Sequence, residues 1–120
     1  MKIAVAGLGY VGLSNAILLA QRNEVMALDI SQARVDLVNA RRSPIVDAEC
    51  EEYLANRPLN LAATTDPVAA FQGAEFVLIA TPTDYDPLTN RFDTSTVETV
   101  IAQVRTLAPG AVMVIRSTVP

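Results

Sequence analysis

Apolar positions gather into five short runs along this chain, over Lys2–Ala6, 24–29, Leu61–Thr64, 76–80 and 112–116. Each run is nearly continuous rather than alternating, as in strands covered on both faces. Between the runs the apolar spacing turns helical. Leu13, Ala16, Ile17 and Ala20 mark the buried side of a helix over 11–22, which Asn23 is expected to close in the left-handed conformation. Ser31 caps a second helix over 32–41, stopped by Ser43-Pro44, and a weaker helical turn covers 47–56. Thr65-Asp66-Pro67 reads as a cap with proline at the first helical position, and Gly73 closes that short helix. The last helix opens on a capping box, Ser95-x-x-Glu98. It carries an apolar stripe of Val97, Val100, Ile101, Val104 and Leu107 or Ala108 before the turn at Pro109-Gly110. Right-handed crossovers through this alternation give a doubly wound α/β domain over residues 1–120, with strand order 3-2-1-4-5. A ligand crevice then falls between the first and fourth strands.

The loops at that crevice carry the chemistry. The first strand runs into Gly7-Leu-Gly9-Tyr10-Val11-Gly12, a helical pattern begins inside the motif, and Asp29 ends the next strand twenty residues after Gly9. Strand, glycines, helix and acid together form the Rossmann-type fingerprint of a dinucleotide site. Gly7 allows the tight turn, Gly9 lets the backbone approach a pyrophosphate, and Gly12 lets the helix pack on the sheet. Backbone N–H groups near Tyr10 and Val11 then face the phosphates at the positive end of that helix. Asp29 is placed to accept hydrogen bonds from the adenosine ribose and to repel a 2′-phosphate, which favours NAD over NADP. Arg34, one turn into the second helix, could instead accommodate that phosphate.

Thr81-Pro82-Thr83 follows the most apolar strand at the crevice, where proline stiffens the backbone and the threonines offer hydroxyls to a ribose or nicotinamide. Ser117-Thr118 holds the equivalent place after the fifth strand. A plain turn also accounts for the first group, and satisfaction of strand-end backbone for the second.

Composition narrows the rest. With 51% apolar and 18% charged residues the chain is globular. A net charge of −4 and no basic run beyond Arg41-Arg42 argue against a nucleic-acid partner. No histidine and no Cys or Asp cluster at ligand spacing argue against a transition-metal site, and no run is long enough to cross a membrane. A single cysteine and no secretory signal fit a reducing cytoplasm. That cysteine, Cys50, lies among Asp47, Glu49, Glu51 and Glu52, which disfavour a thiolate, so it reads as a structural thiol. Asp84, Asp86 and Asp93 could bind a cation, but their spacing matches no known cage, and a solvated loop with a helix cap at Asp93 is the better reading. The chain stops at Ser117-Thr118-Val119-Pro120 just after an apolar strand. This is expected to be a truncation before a sixth strand, in the front part of a longer enzyme, leaving an apolar edge over 112–115 prone to self-association.

The opening Met-Lys-Ile-Ala-Val-Ala-Gly-Leu-Gly-Tyr-Val-Gly-Leu, Ala80-Thr81-Pro82-Thr83, Phe92-Asp93-Thr94-Ser95 and Arg116-Ser117-Thr118-Val119-Pro120 resemble the bacterial UDP-glucose 6-dehydrogenases of the UDP-glucose/UDP-mannose dehydrogenase family. The likeness spans all 120 residues. It implies the N-terminal NAD-binding portion of an enzyme that takes the C6 alcohol of UDP-glucose to the carboxylate of UDP-glucuronate. Two NAD-dependent oxidations and a covalent cysteine intermediate carry that reaction. The resemblance also implies NAD contacts from the turn over 7–12, Val11, Asp29, the basic position Arg34, Thr83 and Thr118. It further implies that Thr118 is an auxiliary catalytic residue that helps position the reacting centre. The family's nucleophilic cysteine and catalytic lysine match nothing here, so this portion is expected to be inactive alone. A UDP-sugar substrate and a homodimeric full-length enzyme are implied as partners. The same opening domain would also serve a UDP-N-acetylmannosamine dehydrogenase, another NAD-linked hydroxyacyl or sugar-acid dehydrogenase, or a non-catalytic NAD-sensing module.

Overall fold

The computed structural model describes residues 1–45, 47–81, 84–86, 91–93 and 95–116, with backbone only over 84–86, 91–93, 95 and 96. Five parallel strands form one sheet in the order β3-β2-β1-β4-β7: β1 (Lys2–Ala6), β2 (Glu24–Leu28), β3 (Leu61–Thr64), β4 (Phe76–Ile79) and β7 (Val112–Ile115). The register is unbroken across the centre, Ala6 standing beside Leu28 on one side and Ile79 on the other. All three strands therefore end level, at one rim of the sheet.

Successive residues of a strand face opposite sides, and β1 sorts its side chains accordingly. Ile3 and Val5 enter the core beneath α1 (Tyr10–Ala20), α2 (Gln32–Asn39) and α3 (Ala48–Asn56). Ala4 and Ala6 enter the core beneath α4 (Pro67–Phe71) and α5 (Ser95–Leu107), where Phe71 is the largest fully buried side chain. The crossovers from β1 to β3 thus cover one face, and those after β3 cover the other. The doubly wound architecture and strand order are those expected from the sequence.

Caps follow the sequence closely. Ser31 Oγ accepts from Arg34 N–H at 3.3 Å, Asp47 from Cys50 N–H at 2.9 Å, and Asp66 from Val68 N–H at 3.0 Å with Pro67 at the first helical position. Two ends differ. Asn23 does not adopt the left-handed conformation; its Nδ2 and its backbone N–H both donate to Leu19 O, at 3.1 and 3.0 Å, so the side chain supplies the cap. After α2 the left-handed residue is Arg41 (φ 62°), which ends the helix before Ser43-Pro44 is reached. At the β3 edge the Asn39 amide completes a rung of its own. It donates to Ala63 O at 3.0 Å and accepts from Ala63 N–H at 2.8 Å.

The stretch read as a loop contains a short antiparallel pair, β5 (Asp84–Asp86) with β6 (Arg91–Asp93). Three-residue strands leave too little alternation to register as a pattern. Opposite, β7 leaves Val112, Val114 and Ile115 exposed along the apolar edge expected there.

Candidate functional site

The glycine turn is shaped by backbone contact. Gly7 sits at φ +102°, and a Cβ there would lie 2.7 Å from Ala80 O, against the end of β4. A Cβ on Gly12 would fall inside the hard-sphere radius of the Gly7 carbonyl oxygen, so α1 rests directly on the turn. Gly9 is the opposite case: a Cβ there would meet nothing within 4 Å. The two packed glycines hold the turn, and the unpacked one faces open space at the start of a helix.

That helix start offers donors. The first intrahelical bond is Leu13 N–H to Gly9 O at 2.9 Å, which leaves the N–H groups of Tyr10, Val11 and Gly12 without intrahelical acceptors. No acidic side chain stands in the first turn and no side chain caps it. Donors, the positive helix end and the open position over Gly9 suit a phosphate.

Asp29 is fixed from several directions. Its backbone N–H donates to Thr64 O at 3.2 Å, continuing the sheet one residue past β2. Its carboxylate reaches across to the glycine turn, Oδ2 accepting from Leu8 N–H at 2.9 Å, while Oδ1 accepts from Ser31 N–H at 2.8 Å. With its side chain only 9% exposed, the acid is a strut between the two strand ends. A carboxylate has about four lone-pair positions. Two are taken by backbone, so one on each oxygen remains for the paired hydroxyls of a ribose. Arg34 Nη1 lies 3.8 Å from Oδ2, with its side chain 47% exposed. The arginine's charge is already directed at the acid, and a 2′-phosphate would have to be accommodated beside that carboxylate.

A cavity of about 510 Å³, within the range usual for small-molecule sites, opens beside Asp29 and the end of β1; its lining includes Gly7 but not Gly9, Tyr10, Val11 or Gly12. Asp29, Arg34, Gly7 and Thr81 line it, the Thr81 hydroxyl oxygen being buried. Tyr10 and Val11 stay exposed at the helix start. Pro82, Thr83, Ser117 and Thr118, named from the sequence, lie outside the described residues. The cavity also shows residues that sequence reasoning missed. Ile30, next to the acid, is 96% exposed, and Thr65, Thr99 and Gln103 join the lining. An apolar residue directly after a strand-end acid was the available signal for Ile30. The α5 residues had none, since they flank the apolar stripe on the side that reads as solvated.

Cys50 is buried, with Sγ 4.0 Å from Ser14 Oγ. Burial pushes its thiol up, the Ser14 hydrogen bond opposes this, and the Asp47 and Glu49 charges add to the rise. The folded pKa therefore lies above the unfolded one. The resulting stability is present below the unfolded thiol's pKa, about 8.5, and is lost as pH rises through the folded value. Iodoacetamide at pH 8 is expected to modify the native chain at least tenfold more slowly than the urea-unfolded chain, followed by mass spectrometry. Equal rates would overturn the assignment of a structural thiol.

Comparison with known proteins places the chain in a family. The family described as UDP-glucose/GDP-mannose dehydrogenase family, NAD binding domain, matches residues 1–120. The chain is 48% identical over 120 residues to a UDP-glucose 6-dehydrogenase of Streptococcus pneumoniae, covering all of this chain and 30% of that protein. It is 41% identical over 122 residues to a UDP-glucose 6-dehydrogenase of Campylobacter jejuni, covering 100% of this chain and 31% of that one. A solved UDP-D-ManNAc dehydrogenase of Pyrococcus horikoshii superposes with a TM-score of 0.89 at 30% identity, over 100% of this chain and 29% of that structure. The chain thus spans under a third of the length of these relatives.

Proposed function

This chain belongs to the UDP-glucose/GDP-mannose dehydrogenase family, whose NAD-binding domain it matches from end to end, and from that premise we propose how it holds NAD and for which reaction. The pyrophosphate sits over Gly9 against the N–H groups of Tyr10, Val11 and Gly12, between the packed positions of Gly7 and Gly12. The adenosine ribose takes the two free lone pairs of Asp29, with Arg34 steadying that carboxylate. The nicotinamide end is held by Thr81, Pro82 and Thr83 and by Ser117 and Thr118, with Thr118 serving as the auxiliary catalytic residue. The observation that carries this reading is Asp29. One carboxylate braces the glycine turn through Leu8 N–H and still has an acceptor on each oxygen for a ribose.

NAD, when bound, supplies a hydride acceptor. The chain's own residues bind it, orient it and keep its phosphates on the helix end. We propose UDP-glucose as the substrate of the whole enzyme, because the relatives named UDP-glucose 6-dehydrogenase are 48% and 41% identical to this chain over its full span. Oxidation of its C6 alcohol to the carboxylate of UDP-glucuronate removes two hydrides, takes the second oxygen from water, and so consumes two NAD and releases protons. The covalent thiol step falls to residues beyond this chain, since Cys50 is buried and held protonated. Residues 1–120 are then the cofactor-holding portion of a longer, homodimeric, cytoplasmic enzyme. No helix among the described residues is long and apolar enough to cross a membrane.

Two measurements on the chain test this. Isothermal titration is expected to show saturable NAD binding that is tighter than NADP binding. A turnover assay with UDP-glucose and NAD is expected to show no NADH above blank. Tighter NADP binding would overturn the role given to Asp29, and NADH production would overturn the placement of the nucleophile outside the chain.

A further inference from the structure

We infer that Gln103 reads the purine edge of the dinucleotide and makes this site selective for adenine over 6-oxopurines, an inference that rests on the NAD reading above. The ribose position is set by Asp29, and the base is joined directly to that ribose. It must therefore lie in the part of the cavity that Asp29 shares with Ile30 and with the α5 residues Thr99, Val100 and Gln103.

A purine has two apolar faces and a polar rim, and the lining has both kinds of partner. Ile30 is 96% exposed and Val100 is buried within the cavity wall. An isoleucine so fully in water beside a ribose-binding acid is apolar surface that a flat ring would cover. Among the polar lining groups on α5, the Thr99 hydroxyl is a single rotating group. The Gln103 carboxamide holds a donor and an acceptor in one plane at fixed spacing. It stands one turn beyond Thr99 on the same flank of α5, half-buried, and makes no hydrogen bond among the described residues. Folding has left that amide facing the cavity with its pairing capacity intact.

The match is chemical. A glutamine amide pairs with adenine through two parallel bonds, its oxygen accepting from the N6 amine and its NH2 donating to N7. Hypoxanthine and guanine carry an oxygen where adenine carries that amine. They present two acceptors side by side, so one bond is lost and the amide oxygen faces another oxygen. Gln103 thereby fixes which base accompanies the ribose that Asp29 recognises, and Asp29 contributes nothing to that choice.

Comparing NAD with nicotinamide hypoxanthine dinucleotide tests this, because the two differ only at the 6-position and in the N1 proton. Dissociation constants for both are measured by titration of the chain and of its Gln103→Leu and Gln103→Met variants, with circular dichroism to check folding. The native chain is expected to prefer NAD about tenfold, the discrimination one good bidentate pair supports. Both variants are expected to bring the ratio within about twofold of unity, mainly by weakening NAD. Equal affinity of the native chain for both dinucleotides, or a tenfold preference surviving in a folded variant, would overturn the inference while leaving the NAD site standing. Failure of the folded native chain to bind either would overturn the NAD reading itself, and this inference with it.

Discussion

Replacing Gly12 by alanine is expected to lower the melting temperature of this domain by roughly 10–20 °C, while the same change at Gly9 is expected to leave the fold intact and remove the cofactor. A Cβ at position 12 overlaps the carbonyl oxygen of Gly7, and both partners are backbone, so neither can rotate away. Relief requires α1 to lift from the sheet. That opens the packing of Leu13 and Ala16, both fully buried, and of Ile17 beneath them. Overpacking against flexible side chains costs about 1–3 kcal/mol, and a rigid backbone contact belongs at or beyond the top of that range. A loss of about 3 kcal/mol takes a large share of a typical domain's 5–15 kcal/mol and lowers Tm by roughly 10–20 °C. Gly9 has φ −75° and ψ −168°, a conformation any residue adopts, with nothing within 4 Å of its would-be Cβ. Gly9→Ala should therefore melt within a few degrees of the native chain, yet its methyl group occupies the space assigned to the pyrophosphate. Thermal melts by circular dichroism and NAD titrations on both variants decide the matter. A native-like melt for Gly12→Ala would contradict the contact beneath α1. Native NAD affinity for Gly9→Ala would remove the phosphate from its assigned place.

How much of this was legible beforehand depends on the range of the interaction. The strands at Lys2–Ala6 and Leu61–Thr64 and the caps at Ser31, Asp47 and Asp66 are local matters, and residue type within a few positions decides them. The strand order also follows, because crossover handedness leaves few ways to arrange five parallel strands. Three things did not follow. Asn23 lies only four positions from Leu19, but its residue type permits either a left-handed turn or a side-chain cap, and its amide takes the second by reaching the Leu19 carbonyl. The strut from Asp29 to Leu8 N–H crosses twenty-one positions, and no spacing rule predicts a bond to a backbone amide in another loop. The share of α5 in the cavity was hidden because helical periodicity separates core-facing from outward residues. It does not say that Thr99 and Gln103, on the flank of the stripe, would meet the ends of β1 and β2.

Asp29→Ala is expected to cost about a hundredfold in NAD affinity and to erase the preference for NAD over NADP. The carboxylate's free positions would accept two ribose hydroxyl bonds, and hydrogen bonds to a charged group contribute about 1.5–3 kcal/mol each. Losing both gives roughly 3 kcal/mol or more, which is a hundredfold or greater. The charge works in the other direction on NADP. With the acid gone, Arg34 loses the partner at 3.8 Å and is free for a 2′-phosphate, so NADP should weaken far less than NAD or gain outright. Asparagine is no conservative substitute here. Leu8 N–H and Ser31 N–H each donate to one oxygen of Asp29, so an amide must turn its NH2 toward one of them and set donor against donor. Asp29→Asn is therefore expected to lose affinity nearly as far as Asp29→Ala and to lower Tm as well, because the glycine turn loses its brace. Arg34→Ala separates the two contributions: its ion pair is half-exposed and worth at most about 1 kcal/mol, so NAD affinity should fall less than about fivefold. Titration of the three variants with both dinucleotides, alongside melts, resolves every case. If folded Asp29→Ala binds NAD as the native chain does, Asp29 only braces the turn and the ribose is held elsewhere. If Arg34→Ala proves the more damaging change, the arginine holds the adenosine end and the acid serves to position it.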